Sequence, residues 1–223
     1  MKLIEYADRD MLALDLANIL AGELANTLHH EERATLVVPG GTTPGPIFDD
    51  LCAVDLAWDR VDVMLSDERW VSEDSPRSNT GLIKERLLTD KASAAKYLPL
   101  YLPIENPEDA IADLEAQLSP SLPISVLLLG MGADMHTASL FPRGDNLGLA
   151  LDPKAPVLVP MKAEGLDEQR ITLSARVLRD AVNIHIVVTG DEKMEALNKA
   201  RHATLEEAPV KAVLDNATIH WAK

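Results

Sequence analysis

The chain has 223 residues, of which 47% are hydrophobic, and this composition is typical of a globular protein rather than a disordered one. Its formal net charge of −15 disfavours nucleic acid as a partner, because affinity for nucleic acid depends on Lys and Arg that neutralise phosphates. The single cysteine, Cys52, excludes an internal disulfide framework and a multi-cysteine metal site.

No apolar run reaches the roughly 18–20 residues that span a bilayer. The N-terminal stretch has acidic residues inside its apolar pattern and does not resemble a signal peptide. We therefore expect no membrane association and a cytoplasmic location.

Apolar segments alternate with helical patterns along the chain. In chain order the predicted elements are a strand at 35–38, a helix at 44–54, a strand at 61–65, helices at 79–88 and 108–118, a strand at 124–129, short strands at 157–160 and 171–173, a helix at 175–180, a strand at 184–188, a helix at 192–200 and a last edge strand at 217–221. Asn79 is a candidate N-cap of the helix at 79–88. This alternation predicts an α/β fold, with a mostly parallel sheet and helices on both faces, and we expect one domain over residues 1–223.

Four polar or glycine-rich segments directly follow predicted strands, at 39–45, 66–70, 130–137 and 189–193. In a parallel sheet the carboxyl ends of the strands meet at one edge, and ligands bind outside that edge. The four segments are therefore predicted to form one site.

The first of these segments, within "VVPGGTTPGPIF", places Gly40, Gly41, Thr42 and Thr43 between a strand and a helix opened by Pro44. Backbone N–H groups of such a loop favour an anion, and a plain turn that needs glycine for its dihedrals explains the sequence equally well. Neither the dinucleotide pattern Gly-x-Gly-x-x-Gly nor a Walker loop is present.

The second segment, "SDERWVSEDSPRSNTG", places charged side chains at the end of a buried strand, with Asn79 ten residues further on. Asp67 and Arg69 point to the same side if the strand continues, so they either form a structural ion pair or hold a substrate. For Glu68 and Glu73 we expect a solvated loop.

The third segment, "GMGADMHTASLFP", holds Asp134 and His136 two residues apart. Histidine has the side-chain pKa nearest neutrality, and an acid can fix its tautomer, so this pair suits general acid–base catalysis. Asp134 has a second candidate role as the cap of a following helix. Ser139 is predicted to be a helix residue rather than a nucleophile, because the Gly-x-Ser-x-Gly elbow is absent. The pair lacks a third zinc ligand at a convincing spacing. The other five histidines are expected to be surface or packing residues: His29, His30, His185, His202 and His220.

Two cations complete the pattern. Arg170 precedes a predicted strand, and Lys193 lies in the first turn of a predicted helix, where a cation is unfavourable unless an anion is bound. With the glycine loop, the two side chains are consistent with a phosphate-binding clamp.

Five motifs together, "PGGTTP", "SDERWV", "GMGADMHTASLFP", "RITLSARVLRDA" and "TGDEKMEAL", resemble those of the 6-phosphogluconolactonase family, which shares its fold with glucosamine-6-phosphate deaminases/isomerases. They occur in the family's order and extend from about residue 35 to 200. The resemblance implies a Rossmann-like α/β fold and hydrolysis of 6-phosphoglucono-1,5-lactone to 6-phosphogluconate in the pentose phosphate pathway. It implies a sugar-phosphate lactone as the small-molecule partner, with no redox cofactor and no obligatory metal. The sequence does not determine the oligomeric state, and we expect a monomer or weak homodimer.

The resemblance also implies roles for individual residues. Its catalytic set is His136, Asp134, Arg69 and Asp67, and its substrate-binding and phosphate-binding set is Gly40, Gly41, Thr42, Thr43, Asn79, Arg170 and Lys193.

Two positions bear on the choice between activities. The deaminases have a glutamate where this chain has Phe141, and a phenyl ring cannot hydrogen-bond an imidazole, so the resemblance favours the lactonase. Met135 stands where the family usually has glycine, and a left-handed conformation there would cost a methionine roughly 1–2 kcal/mol. The alternatives are a deaminase/isomerase and a sugar-phosphate-binding protein that has lost catalysis.

Overall fold

The computed structural model describes residues 1–223. The strands are β1 (Lys2–Glu5), β2 (Ala34–Val38), β3 (Val61–Leu65), β4 (Asp67–Arg69), β5 (Lys96–Leu98), β6 (Val126–Gly130), β7 (Leu158–Met161), β8 (Arg170–Leu173), β9 (Asn183–Thr189) and β10 (Ala217–Ala222). The α-helices are α1 (Arg9–His30), α2 (Gly45–Leu51), α3 (Asn79–Arg86), α4 (Pro107–Leu118), α5 (Leu147–Leu151), α6 (Ala175–Arg179), α7 (Asp191–Ala200) and α8 (Lys211–Leu214). None of these helices is long and apolar enough to cross a membrane.

The main sheet has seven parallel strands in the order β1-β10-β9-β6-β2-β3-β5. Strands β2 and β3 are buried along their whole length, and their residues are apolar except for Thr35 and Asp62, whose side chains are hydrogen-bonded to Ser121. Helices flank the sheet, and 62 buried residues form one connected apolar cluster. The predicted α/β class with a mostly parallel sheet is confirmed.

The N-terminal region adds a strand and a helix that the sequence analysis did not predict. Asp8 caps α1, since its carboxylate accepts a hydrogen bond of 2.8 Å from the backbone N–H of Met11. Leucines at every fourth position then give the helix a buried face: Leu12, Leu16, Leu20, Leu24 and Leu28. Strand β1 pairs with β10 on the outside of the sheet. The prediction that 217–221 is an edge strand is therefore wrong, because β10 lies between β1 and β9.

A second, antiparallel sheet has the order β4-β8-β7. It contains the two short strands predicted at 157–160 and 171–173, together with the residues that directly follow β3. In this sheet Arg69 pairs in register with Arg170. The small sheet thus brings together two cations that are 101 positions apart in the chain.

The start of α3 differs from the prediction by one residue. Ser78 is the N-cap, because its hydroxyl accepts a hydrogen bond of 3.3 Å from the backbone N–H of Gly81. Asn79 is instead the first residue of the helix, and its side chain is free for other contacts.

Candidate active site

A cavity of about 380 Å³ lies at the edge of the main sheet where β2, β6 and β9 end. All four predicted segments contribute to its wall. The predicted site residues that line it are Gly40, Gly41, Thr42, Thr43, Asp67, Arg69, Asn79, His136, Arg170 and Lys193. Asp134 does not line the cavity but is hydrogen-bonded to His136. The structure therefore brings every predicted site residue into one place.

The loop after β2 requires glycine at two positions for different reasons. Gly41 has a φ of 88°, a left-handed value that glycine adopts without steric cost. Gly40 lies so close to Asn79 that a Cβ atom would overlap with the amide of that side chain. Asn79 is in turn fixed by a 3.1 Å hydrogen bond from Nδ2 to the carbonyl oxygen of Asp67. The start of α3 thus forms one wall of the glycine loop.

His136 and Asp134 form a hydrogen-bonded pair at the rim of the cavity. Nδ1 of His136 lies 2.5 Å from Oδ1 of Asp134, and the hydrogen bond holds the pKa of this carboxyl below its usual value. Gly132 allows this approach, because a Cβ atom at that position would overlap with both side chains. No helix starts in this segment, and the next one begins at Leu147, so the predicted helix-capping role of Asp134 is wrong.

The surroundings of His136 are apolar on one side. The ring of Phe141 lies against the imidazole with a centroid distance of 4.8 Å. Met135, between the two members of the pair, has a φ of 68°. The left-handed conformation that glycine favours is therefore present here with a methionine side chain.

Asp67 is buried and bonded to two hydroxyl groups. Oδ1 accepts a hydrogen bond of 2.9 Å from Ser66, and Oδ2 accepts one of 2.6 Å from Ser139. Arg69 donates instead to the carbonyl oxygen of Arg77 at 2.5 Å, and its Nε is buried without a partner. Of the two predicted arrangements for Asp67 and Arg69, the structural ion pair does not form. Ser139 is buried outside any helix, so its predicted helical setting is wrong.

Glu68 is completely buried, and the prediction of a solvated loop is wrong at this position. No local pattern in the sequence indicates this burial, because all of the hydrogen-bond donors to Glu68 except the backbone N–H of Arg69 lie ten to twelve residues further along the chain. Glu73 does lie at the surface as predicted, where it pairs with Lys84 at 2.6 Å.

Arg170 and Lys193 give the cavity an excess of positive charge. Arg170 is only 5% exposed, and burial, followed by the neighbouring Arg69, lowers the pKa of its guanidinium. Its nearest acid, Glu168, is 4.0 Å away, and its Nε has no partner. Lys193 lies in the first turn of α7, which follows Gly190 with a φ of 84°. A buried cation with unused donors favours an anionic ligand.

Comparisons with known proteins place this geometry in a family. The family model described as glucosamine-6-phosphate isomerases/6-phosphogluconolactonase matches residues 7–221. The chain belongs to this family. It is 41% identical to the 6-phosphogluconolactonase of Mesorhizobium japonicum, over 97% of this chain and 93% of that protein. It is also 41% identical to the 6-phosphogluconolactonase of Pseudomonas aeruginosa, over 94% of this chain and 90% of that protein. The crystal structure of a 6-phosphogluconolactonase from Shewanella baltica superposes with a TM-score of 0.96 at 30% identity, covering 100% of this chain and 98% of that one.

Family members of both activities share this fold. A monomeric glucosamine-6-phosphate deaminase superposes with a TM-score of 0.83 at 17% identity, covering 100% of this chain and 98% of that one. At this identity the likeness concerns the fold alone. The choice between the two activities therefore depends on the side chains around His136.

The histidines outside the cavity fall into two groups. His29, His30 and His202 are exposed, whereas His185 and His220 are buried and take part in a hydrogen-bonded chain from Tyr6 to Glu23. No three His, Cys, Asp or Glu side chains are grouped so that they could hold a metal ion.

Proposed function

We propose that this chain is a hydrolase that converts 6-phospho-D-glucono-1,5-lactone to 6-phospho-D-gluconate in the oxidative branch of the pentose phosphate pathway. The observation that carries this proposal is the His136–Asp134 pair at a cavity whose other walls hold Arg69, Arg170 and Lys193, with the Nε atoms of both arginines lacking a hydrogen-bond partner. With Nδ1 bonded to Asp134, Nε2 is the ring nitrogen that remains free for a proton transfer. The reaction transfers no net electrons to or from the substrate, so it requires no redox cofactor.

The proposed mechanism uses His136 twice. Nε2 takes a proton from water while the water oxygen forms a bond to C1 of the lactone. The tetrahedral oxyanion collapses, the C1–O5 bond breaks, and His136 returns the proton to O5. Asp134 keeps the imidazole in the required tautomer and stabilises its cationic form between the two transfers. Arg69 stabilises the oxyanion or binds sugar hydroxyls, and Asp67 holds this part of the wall through Ser139.

The phosphate end of the substrate lies away from the reacting carbon. Arg170, Lys193 and the loop formed by Gly40, Gly41, Thr42 and Thr43 bind the 6-phosphate, and Asn79 supports that loop. Binding energy from this remote group positions C1 against the attacking water. Residues 1–223 act as one catalytic domain, which we expect in the cytoplasm as a monomer or weak homodimer.

Phe141 favours the lactonase over the deaminase/isomerase. Its phenyl ring contacts the imidazole of His136, and it has no group that could accept or donate a proton in ring opening. The two activities are separated by assaying ammonia release from glucosamine 6-phosphate, which we expect to be absent.

The deciding experiment measures hydrolysis of freshly generated 6-phosphogluconolactone above its spontaneous background, with and without a chelator. We expect rapid hydrolysis that the chelator does not change.

His136→Ala should lower kcat by about 10²–10⁴-fold with little change in KM, since general acid–base catalysis contributes this much. His202→Ala, at an exposed histidine outside the cavity, is the matched control and should keep full activity. Wild-type turnover by His136→Ala would contradict the mechanism. Binding of 6-phosphogluconate without any hydrolysis would indicate a sugar-phosphate-binding protein instead.

A further inference from the structure

The carboxylate of Glu68 accepts five hydrogen bonds in the interior of the protein. Oε1 accepts from the backbone N–H of Arg69 at 2.7 Å and from that of Asn79 at 2.8 Å. Oε2 accepts from the backbone N–H of Thr80 at 2.7 Å, from the Thr80 hydroxyl at 2.8 Å and from the Ser78 hydroxyl at 3.1 Å. The residue has 0% exposure. No water is needed to satisfy this carboxylate, because protein donors occupy both of its oxygens.

These donors come from two separate elements of the cavity wall. Arg69 ends β4 in the small sheet, while Asn79 and Thr80 form the first turn of α3. The first N–H groups of a helix have no partner within it, and a carboxylate that accepts from two of them fixes where the helix begins. Glu68 therefore joins the strand that carries Arg69 to the helix that carries Asn79.

Both of the joined residues face the proposed substrate. The amide of Asn79 lies against Gly40 in the glycine loop, and its Oδ1 is buried without a hydrogen-bond partner. The guanidinium of Arg69 is held at the carbonyl oxygen of Arg77, and its Nε is likewise unpartnered. The two side chains have unused polar atoms at the cavity, and their backbones share one oxygen of Glu68.

We propose that Glu68 is a positioning residue for the reaction, which sets Asn79 against the glycine loop and Arg69 at the sugar end of the cavity. This inference rests on the proposed lactonase function. Glu68 does not line the cavity, so it acts on the substrate only through these two residues.

The hydroxyl of Thr80 extends the network outwards and supplies a control. This hydroxyl has one proton, which it donates to Glu68, so it must accept from the hydroxyl of Tyr97 at 2.7 Å. Tyr97→Phe removes this outer hydrogen bond and leaves all five donors to Glu68 in place. A change in activity that depends on Glu68 should therefore not appear in Tyr97→Phe.

Glu68→Gln tests the proposal, because it keeps the shape of the side chain and changes one acceptor oxygen into a donor. In either orientation of the amide, its NH₂ group faces the backbone N–H of Asn79 or of Thr80. We expect KM for the lactone, and the dissociation constant of 6-phosphogluconate measured by calorimetry, to rise by about tenfold, the effect of losing hydrogen bonds to a charged group. Tyr97→Phe should leave both constants within about twofold of wild type.

A double-mutant cycle with Asn79→Ala separates positioning from general destabilisation. If Glu68 acts through Asn79, the roughly tenfold effect of Glu68→Gln should shrink to less than about threefold when Asn79 is already alanine. Equal factors in both backgrounds, or no change in affinity at all, would overturn the proposal. If Glu68→Gln does not fold, Thr80→Val takes its place in the same cycle, since it removes one donor and keeps the carboxylate. Calorimetry measures the binding of 6-phosphogluconate without any turnover. The positioning role of Glu68 is therefore tested separately from the ability of the wild-type chain to hydrolyse the lactone.

Discussion

Nδ1 of His136 and Oδ1 of Asp134 lie 2.5 Å apart, and this is the only hydrogen bond that the imidazole ring makes within the protein. The same carboxylate oxygen accepts a 3.3 Å hydrogen bond from the backbone N–H of His136. Asp134 therefore fixes both the position and the tautomer of the ring. The hydrogen bond keeps the pKa of the Asp134 carboxyl below its ordinary value, so the acid is ionised throughout the neutral range.

Replacing this acid should slow catalysis without abolishing binding. In Asp134→Asn the amide oxygen can still accept from Nδ1, but the negative charge that stabilises the cationic imidazole is lost. We expect kcat to fall by at least about tenfold, and by less than the roughly 10²–10⁴-fold effect of removing the histidine itself. Steady-state kinetics on the lactone measures the effect, with Asp113→Asn as an exposed control that also removes one negative charge. An unchanged kcat in Asp134→Asn would show that the negative charge of Asp134 has no catalytic role.

Arg170 should contribute to affinity at a cost in stability. It is buried beside Arg69, and burial lowers the pKa of its guanidinium, which means that the charged form is disfavoured in the empty cavity. Arg170→Gln should raise KM by about tenfold or more, because a charge-assisted contact to phosphate is lost, with a smaller effect on kcat. The ligand-free variant should be at least as stable as wild type in urea denaturation. Arg179→Gln, at an exposed position, is the control for the change in charge. If Arg170→Gln raises KM without changing kcat but also strongly lowers the free energy of unfolding, the role of Arg170 is chiefly structural.

The sequence predicted the main sheet and the site more fully than it predicted the small sheet and the chain ends. The segments 36–38 and 126–129 are buried on both faces, so their continuous apolar runs identify them as strands without tertiary information. The site followed from topology, since segments after parallel strands share one edge. Strand β4 has three residues, all charged, and its pairing with β8 is visible only once residues a hundred positions apart are brought together.

Glu68 shows the same limit at one residue. A glutamate between two other charged residues is typical of a solvated loop, and sequence composition favours that interpretation. It is buried because Ser78, Asn79 and Thr80 surround its carboxylate with donors, an arrangement that arises only when α3 packs against β4. Asp134 is the opposite case, in which the two candidate roles were visible locally and the absence of a following helix decides between them.

Met135 allows a direct measurement of backbone strain next to the catalytic pair. Its φ of 68° is unfavourable for any residue with a Cβ atom. Met135→Ala and Met135→Gly both remove the side chain, but only the glycine variant relieves this strain. We expect Met135→Gly to be more stable than Met135→Ala by about 1 kcal/mol in urea denaturation, although glycine makes the unfolded chain more flexible. Both variants should still hydrolyse the lactone. An alanine variant as stable as the glycine variant would contradict a strained backbone at this position.

The buried His220 should make the fold sensitive to acid. Nδ1 of His185 lies 3.0 Å from Nε2 of His220, and Nδ1 of His220 lies 2.8 Å from the hydroxyl of Tyr6. Burial, with smaller contributions from His185 and Lys2, lowers the pKa of His220 from 6.5 to about 3. The folded state therefore keeps His220 neutral where the unfolded chain takes up a proton.

The sign of the effect follows from this difference. The stabilisation from neutral His220 is fully present above pH 6.5 and is lost progressively as the pH falls from 6.5 towards 3. One titrating group changes the free energy of unfolding by at most about 1.4 kcal/mol per pH unit. Urea denaturation at several values between pH 7 and pH 4 should show this decrease, and His220→Phe should flatten the slope whatever its effect on stability at pH 7. His202→Gln, at an exposed histidine, should leave the slope unchanged. Carboxylates contribute equally to the acid response of wild type, His220→Phe and His202→Gln, so a difference between the slopes reports the histidine alone. If the free energy of unfolding of His220→Phe has the same slope against pH as that of wild type, His220 is not the source of the acid sensitivity.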